Sequence, residues 1–115
     1  MNRKNVILDT SFQFALKVIE YTELLETKRK YVISKQLLRS GTSIGANIRE
    51  AQSAESRADF IHKLKIADKE ANETLYWLKL CEFSKNYPNP NGLEADLTVI
   101  LKLLSSIISS TKKNK

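Results

Sequence analysis

The strongest helix breakers of this chain are gathered in one place. Both prolines, Pro88 and Pro90, fall inside Asn86-Tyr87-Pro88-Asn89-Pro90-Asn91-Gly92, and only two further glycines, Gly41 and Gly45, stand elsewhere in the 115 residues. Proline removes an amide donor and clashes with a helix interior, and glycine supplies many of the backbone angles that tight turns need. A chain with so little of either has few places to turn, so its ordered segments must be long, and apolar residues recurring every three or four positions make those segments helices.

Four such segments can be traced. The first helix is expected to start near Asp9 or Thr10, both able to cap, and to run to about Thr27. Leu8, Phe12, Ala15, Leu16 and Ile19 share one of its faces, and a second apolar row, Ile7, Phe14, Val18, Tyr21 and Leu25, lies nearly opposite. A single bundle core uses one row, so the other needs a separate partner in the same chain or in another. The second helix, from Val32 to Ser34 through about Gln52, places Ile33, Leu37, Gly41, Ile44, Ile48 and Ala51 on one stripe. Each interior glycine costs a helix about 1 kcal/mol relative to alanine, and close approach of a neighbouring backbone is the compensation expected at Gly41 and Gly45.

Ser56 and Asp59 resemble a capping box that opens a third helix reaching Phe83 or Lys85. Phe60, Leu64, Ala67, Ala71, Leu75 and Leu78 form its narrow apolar face, while Ile66, Glu70, Glu73, Trp77 and Leu80 form a row well away from it. After the Pro-Asn-Gly loop, Asn91 with Glu94 is expected to cap a fourth helix carrying Leu93, Leu97, Ile100, Leu101, Leu104, Ile107 and Ile108, with a lysine tail that frays beyond Thr111. Short connections between four helices predict an all-α, antiparallel up-down-up-down four-helix bundle, formed by residues 1–115 as a single domain.

Composition limits the function classes. Cys81 is the single cysteine and His62 the single histidine, so neither an intramolecular disulfide nor a Cys/His zinc site can be assembled, and a reducing, cytoplasmic home is expected. Asp9 interrupts Val6-Ile7-Leu8 before a signal-peptide core of about 7–15 residues forms, and the run from Leu97 to Ile108 is broken by Lys102 and two serines, short of the roughly 20 residues of a membrane span. Nineteen Lys and Arg against thirteen Asp and Glu give a net charge of +6, which favours polyanions.

The stretch RSGTSIGANIREAQSAESRADFIHKLKIADKEANETLYWLKL resembles the bacterial 23S rRNA intervening-sequence protein family, also called the four helix bundle proteins. The resemblance is carried by Arg39, Ser40, Ser43, Ile44, Ala46, Asn47, Ile48 and Glu50, then by Phe60, Leu64, Ala67, Glu70, Glu73, Trp77 and Leu78. Family members often have glycine directly after the glutamate matching Glu50, where this chain has Ala51. The resemblance covers about Phe12 to Cys81 and implies an antiparallel bundle that assembles into a ring-shaped homopentamer.

Interface residues expected from these rows are Arg39, Ser43, Asn47 and Glu50 on the second helix, with Ile66, Glu70, Glu73, Trp77 and Leu80 on the third. If the rows meet across an interface, Arg39 can pair with a glutamate and fix the register between chains. Nucleic-acid contacts, to phosphates and without sequence preference, would draw on Arg3, Lys4, Lys28, Arg29, Lys30, Arg57, Lys63, Lys112 and Lys113. The partners expected are thus copies of the same chain, then RNA or DNA, or an unidentified protein in place of nucleic acid.

No catalytic, metal or cofactor site is expected. Asp59 and His62 form one Asp-x-x-His pair, where bundle di-metal centres need facing pairs. His62 and Cys81 stand nineteen positions apart on one helix, roughly 28 Å at 1.5 Å per residue, too far to act together. Gly41 and Gly45 lie within a helical pattern and are not followed by the Lys-Ser or Lys-Thr of a phosphate loop.

Overall fold

The first helix begins earlier than its capping residues suggest. The computed structural model describes residues 3–113, with side chains from residue 6 onward, and α1 spans Arg3–Thr27, followed by α2 at Tyr31–Ala51, α3 at Arg57–Phe83 and α4 at Leu93–Lys113. Ile7 explains the early start of α1, because it is fully buried and ties the turn before Asp9 to the core. The exposed Asp9 is simply carried within the helix. At the other end α4 stays helical through Lys113 rather than fraying beyond Thr111, and Thr111 Oγ1 donates to the Ile107 carbonyl at 2.7 Å.

The breaks between helices follow local chemistry. Arg29 adopts φ +62°, and the amides of Arg29 and Lys30 donate back to the carbonyls of Glu26 and Leu25 at 3.0 and 2.9 Å. This is the Schellman closure, with arginine in the left-handed position that glycine usually fills. Ser56 accepts the Asp59 amide at 3.0 Å, and the Asp59 carboxylate accepts the Glu55 amide at 3.2 Å, so the capping box forms with its return bond displaced by one residue. The expected box at Asn91 is not the one used. Gly92, at φ +76°, takes the N-cap position by accepting the Asp96 amide at 3.0 Å, and Glu94 turns to Lys79 at 2.6 Å.

Each helix packs its backbone closely on two others, α1 on α2 and α4, and α3 on α2 and α4, while across one diagonal the Tyr21 side chain of α1 meets Cys81 of α3. The result is a square, up-down-up-down bundle 50 Å long and about 22 Å across. Of the two apolar rows on α1, the core takes Ile7, Phe14, Val18, Tyr21 and Leu25. The stripes expected on α2 and α4 supply Leu37, Ile44, Ile48, Leu97, Ile100 and Leu104, and α3 supplies Leu64, Ala67, Ala71 and Leu78.

The two helical glycines lie against α1. A Cβ on Gly41 would stand 2.9 and 3.0 Å from the two methyls of Val18, whereas one on Gly45 would stand 3.4 Å from the Ser11 carbonyl oxygen. Close approach of this kind lets Ser34 Oγ, buried at the α1–α2 seam, donate to the Thr22 carbonyl at 3.0 Å.

Candidate functional site

The side of the bundle where α2 meets α3 gathers most of the residues singled out in the sequence. Arg39 projects from α2 between two carboxylates of α3, with Nη1 3.1 Å from Glu70 Oε1 and Nη2 paired to Glu73. Trp77 Nε1 donates to Glu73 Oε2 at 3.0 Å, so one carboxylate serves both the indole and the guanidinium. These bonds hold the Glu73 carboxyl below the usual carboxylate range, chiefly through Trp77 and then through Arg39. The Arg39 guanidinium is raised in turn, chiefly by Glu73. The pairing expected for Arg39 therefore forms between two helices of one chain.

Helical spacing explains the cluster. Glu70, Glu73 and Trp77 follow at three and four positions, which stacks them on the flank of α3 that faces α2. Beneath them, the buried Ser40 and Thr74 hydroxyls meet at 2.9 Å, and Thr74 Oγ1 also lies 2.7 Å from the Glu70 carbonyl. The remaining polar members are bound within the chain as well. Ser43 Oγ donates to the Arg39 carbonyl at 2.6 Å, Asn47 Nδ2 donates to the Ser43 carbonyl at 2.8 Å, and Glu50 pairs with Lys63 at 3.1 Å. Ile66 and Leu80 are half-buried, as is Trp77, whose ring meets Tyr76 edge-on with centroids 5.3 Å apart.

A second surface was visible in the sequence only as one of two alternatives. With the opposite row of α1 in the core, Phe12, Leu16 and Ile19 remain 50%, 42% and 38% exposed. Leu8 and Ala15 adjoin them, and a small cleft of about 130 Å³ beside Phe12 is lined across from α1 by Gly45 and Ala46 of α2.

The basic residues are not brought together. Lys28 and Arg29 lie in the α1–α2 turn, whereas Arg57, Lys112 and Lys113 lie at the opposite end of the long axis. Lys30 sits over the Tyr87 ring at 4.9 Å from its centroid, and Lys63 is held by Glu50. Arg3 and Lys4 begin α1, and their side chains lie outside the described residues. Two lysines absent from the expected set, Lys65 and Lys69, share an open groove between α3 and α4 with Lys112. Their i,i+4 spacing was legible in the sequence, but their proximity to α4 was not.

Among the described residues no three His, Cys, Asp or Glu side chains are placed to hold a metal ion, and no helix is long and apolar enough to cross a membrane. Cys81 is buried, and burial raises its thiol pKa. Burial also raises the Tyr21 phenol, which donates to the Pro88 carbonyl at 2.6 Å and fastens the Pro-rich loop to α1.

The sequence matches the family model described as 23S rRNA-intervening sequence protein over residues 3–106. No curated protein matches the chain. Among solved structures, it is similar to a protein of unknown function from the S23 ribosomal protein family of Bacteroides thetaiotaomicron, with 50% identity and a TM-score of 0.89 over 94% of this chain and 99% of that one. Together, the family match and the shared architecture show that the chain belongs to the 23S rRNA-intervening sequence protein family.

Proposed function

We propose that this chain is a non-catalytic, cytoplasmic scaffold that assembles with copies of itself and presents basic surface to RNA or DNA. The observation that carries the reading is the uncovered row on α1, where Phe12, Leu16 and Ile19 lie side by side in solvent contact. Contiguous apolar surface of this kind marks an interaction site in a folded protein. A second uncovered surface lies on α3, where Tyr76 is exposed and Trp77 and Leu80 are half-buried. Because α1 and α3 occupy diagonal corners of the bundle, contact between these unlike faces is heterologous, and a heterologous contact that closes makes a ring. Five copies, the number implied by the resemblance, have a mass of about 65 kDa from a 13.1 kDa chain, and they multiply a net charge of +6.

A non-catalytic role is supported by the placement of the reactive groups. Cys81 is buried with a raised pKa, the opposite of an activated thiolate, and it sits nineteen positions along α3 from His62. A family description that refers to ribosomal RNA is in keeping with a polyanionic partner.

Light scattering of the purified chain, with absorbance at 260 and 280 nm followed across the peak, tests the reading. A mass several times 13.1 kDa is expected, falling in a Phe12→Ser, Leu16→Ser variant and in Trp77→Ala while helix content is retained. A monomeric wild type defeats self-assembly. The competing reading, a structural assembly protein that takes a protein partner on the same apolar row, predicts no affinity for generic RNA even at low salt.

A further inference from the structure

We propose that the groove between α3 and α4 lined by Lys65, Lys69, Ser105, Ser109 and Lys112 is a binding site for the phosphate backbone of a nucleic-acid duplex. The proposal rests on the reading that the chain binds nucleic acid, and it assigns that binding to one face.

Five other cations are committed to partners within the fold. Lys17 is held by Asp96 at 2.7 Å, Lys63 by Glu50 at 3.1 Å and Lys79 by Glu94 at 2.6 Å, while Arg39 lies between Glu70 and Glu73 and Lys30 lies over Tyr87. No carboxylate lies within ion-pair distance of Lys65, Lys69 or Lys112 among the described residues. Asp68 shares their groove, where its carboxylate lies 3.4 Å from Asn72 Nδ2. Three ammonium groups against one carboxylate leave the groove net positive. The Lys65 side chain comes within hydrogen-bond reach of Lys112 and lowers its pKa, through that contact first and through its like charge second, a repulsion that a bound anion would relieve.

The shape of the groove selects the kind of anion. It is an open trough of about 560 Å³ whose one large apolar lining residue is the half-buried Ile108. Sites for small molecules enclose most of their ligand, whereas this groove lies open to solvent. No aromatic ring lines it, so unstacked bases of a single strand find no platform there. What it offers is a repeat: Lys65 and Lys69 on α3 and Ser105 and Ser109 on α4 each recur after one helical turn, about 6 Å along the axis. Cations and hydroxyls repeating along a trough suit successive phosphates of a regular backbone and carry no sequence information.

The test uses the full chain with 20-base-pair RNA and DNA duplexes carrying a fluorescent label, their anisotropy followed from low to moderate salt. The variant is Lys65→Gln, Lys69→Gln, Lys112→Gln, set beside a charge-matched control of Lys35→Gln, Arg49→Gln and Lys85→Gln on other faces. Loss of three phosphate contacts should weaken binding about tenfold or more at low salt and reduce the slope of log K against log salt by about 2 to 3, while the control keeps most of the wild-type slope. Helix content and solution mass confirm that both variants stay folded and assembled. RNA and DNA affected alike is the result expected of contacts to phosphate. Equal losses in the two variants, or wild-type affinity in the groove variant, overturn the groove and leave nucleic-acid binding standing. A wild type that binds neither duplex at low salt overturns both.

Discussion

Gly41 and Gly45, four residues apart on one helix, look interchangeable in the sequence and are not. Alanine at either position gains about 1 kcal/mol of helix propensity. At Gly41 the new methyl would press on the methyls of Val18 at 2.9 and 3.0 Å, and a buried β-branched side chain has no rotamer to retreat into. Overpacking of this kind costs about 1–3 kcal/mol, so Gly41→Ala is expected to lower the urea midpoint and Val18→Ala to recover part of the loss. Gly45→Ala meets only an ordinary contact at 3.4 Å and should raise stability by up to about 1 kcal/mol. Two equal changes in urea midpoint would refute the packing argument.

Glu73 gives a second test at the same scale, with its sign fixed by its depressed pKa. A carboxylate held below its ordinary value contributes stability that is present above pH 4.5 and is lost as pH falls through the folded value. Glu73→Gln should therefore lower the melting temperature at neutral pH and converge with wild type in acid. The neutral-pH difference should be small, below about 1 kcal/mol for the Arg39 pair, because both side chains are well exposed. Melting curves that stay parallel down to low pH would show that the charge of Glu73 contributes nothing.

At the scale of elements, helix existence and most boundaries were legible because they rest on local chemistry. The stripes on α2, α3 and α4 fall on the expected residues, Ser56 caps α3, and the Pro-rich segment separates α3 from α4. Boundaries decided by packing or backbone angle were not legible. The buried Ile7 extends α1 back to Arg3, and a positive φ gives the α4 N-cap to Gly92 rather than to Asn91. The choice between the two rows of α1 belongs to the same class, since both satisfy helical periodicity. Phe14→Ala, on the buried row, should cost about 3–5 kcal/mol in urea unfolding. Phe12→Ala, on the exposed row, should act on solution mass and leave helix content unchanged. A small cost at Phe14 would mean that the rows had been assigned the wrong way round.

For the whole molecule, the square packing determines what each surface can do. Close packing of α1 on α2 and α4, and of α3 on the same two helices, places α1 and α3 at diagonal corners, which separates the apolar row of Phe12, Leu16 and Ile19 from the surface around Trp77. The same packing makes Arg39, Glu70 and Glu73 a clasp between α2 and α3 of one chain. Trp77 remains in play because it is only half-buried, with Tyr76 against its edge. Assembly through unlike faces predicts that Trp77→Ala and the paired Phe12→Ser, Leu16→Ser change each block one side of a shared contact. Mixed with each other, the two variants should form a species of about two chains, and larger rings in that mixture would exclude a contact between those faces.

What depends on neighbours along the chain could be read from the residues alone: four helices, their apolar stripes, the Ser56 cap and the Pro-rich break. Periodicity and capping are set within a turn or two of helix, so they can be read without knowing where the rest of the chain lies. Tertiary structure decided which row of α1 is buried, which glycine is crowded, which lysines are held by carboxylates and which share a groove. Each of these depends on what a different helix places opposite, and residues as far apart in sequence as Lys65 and Lys112 meet only once the bundle has closed.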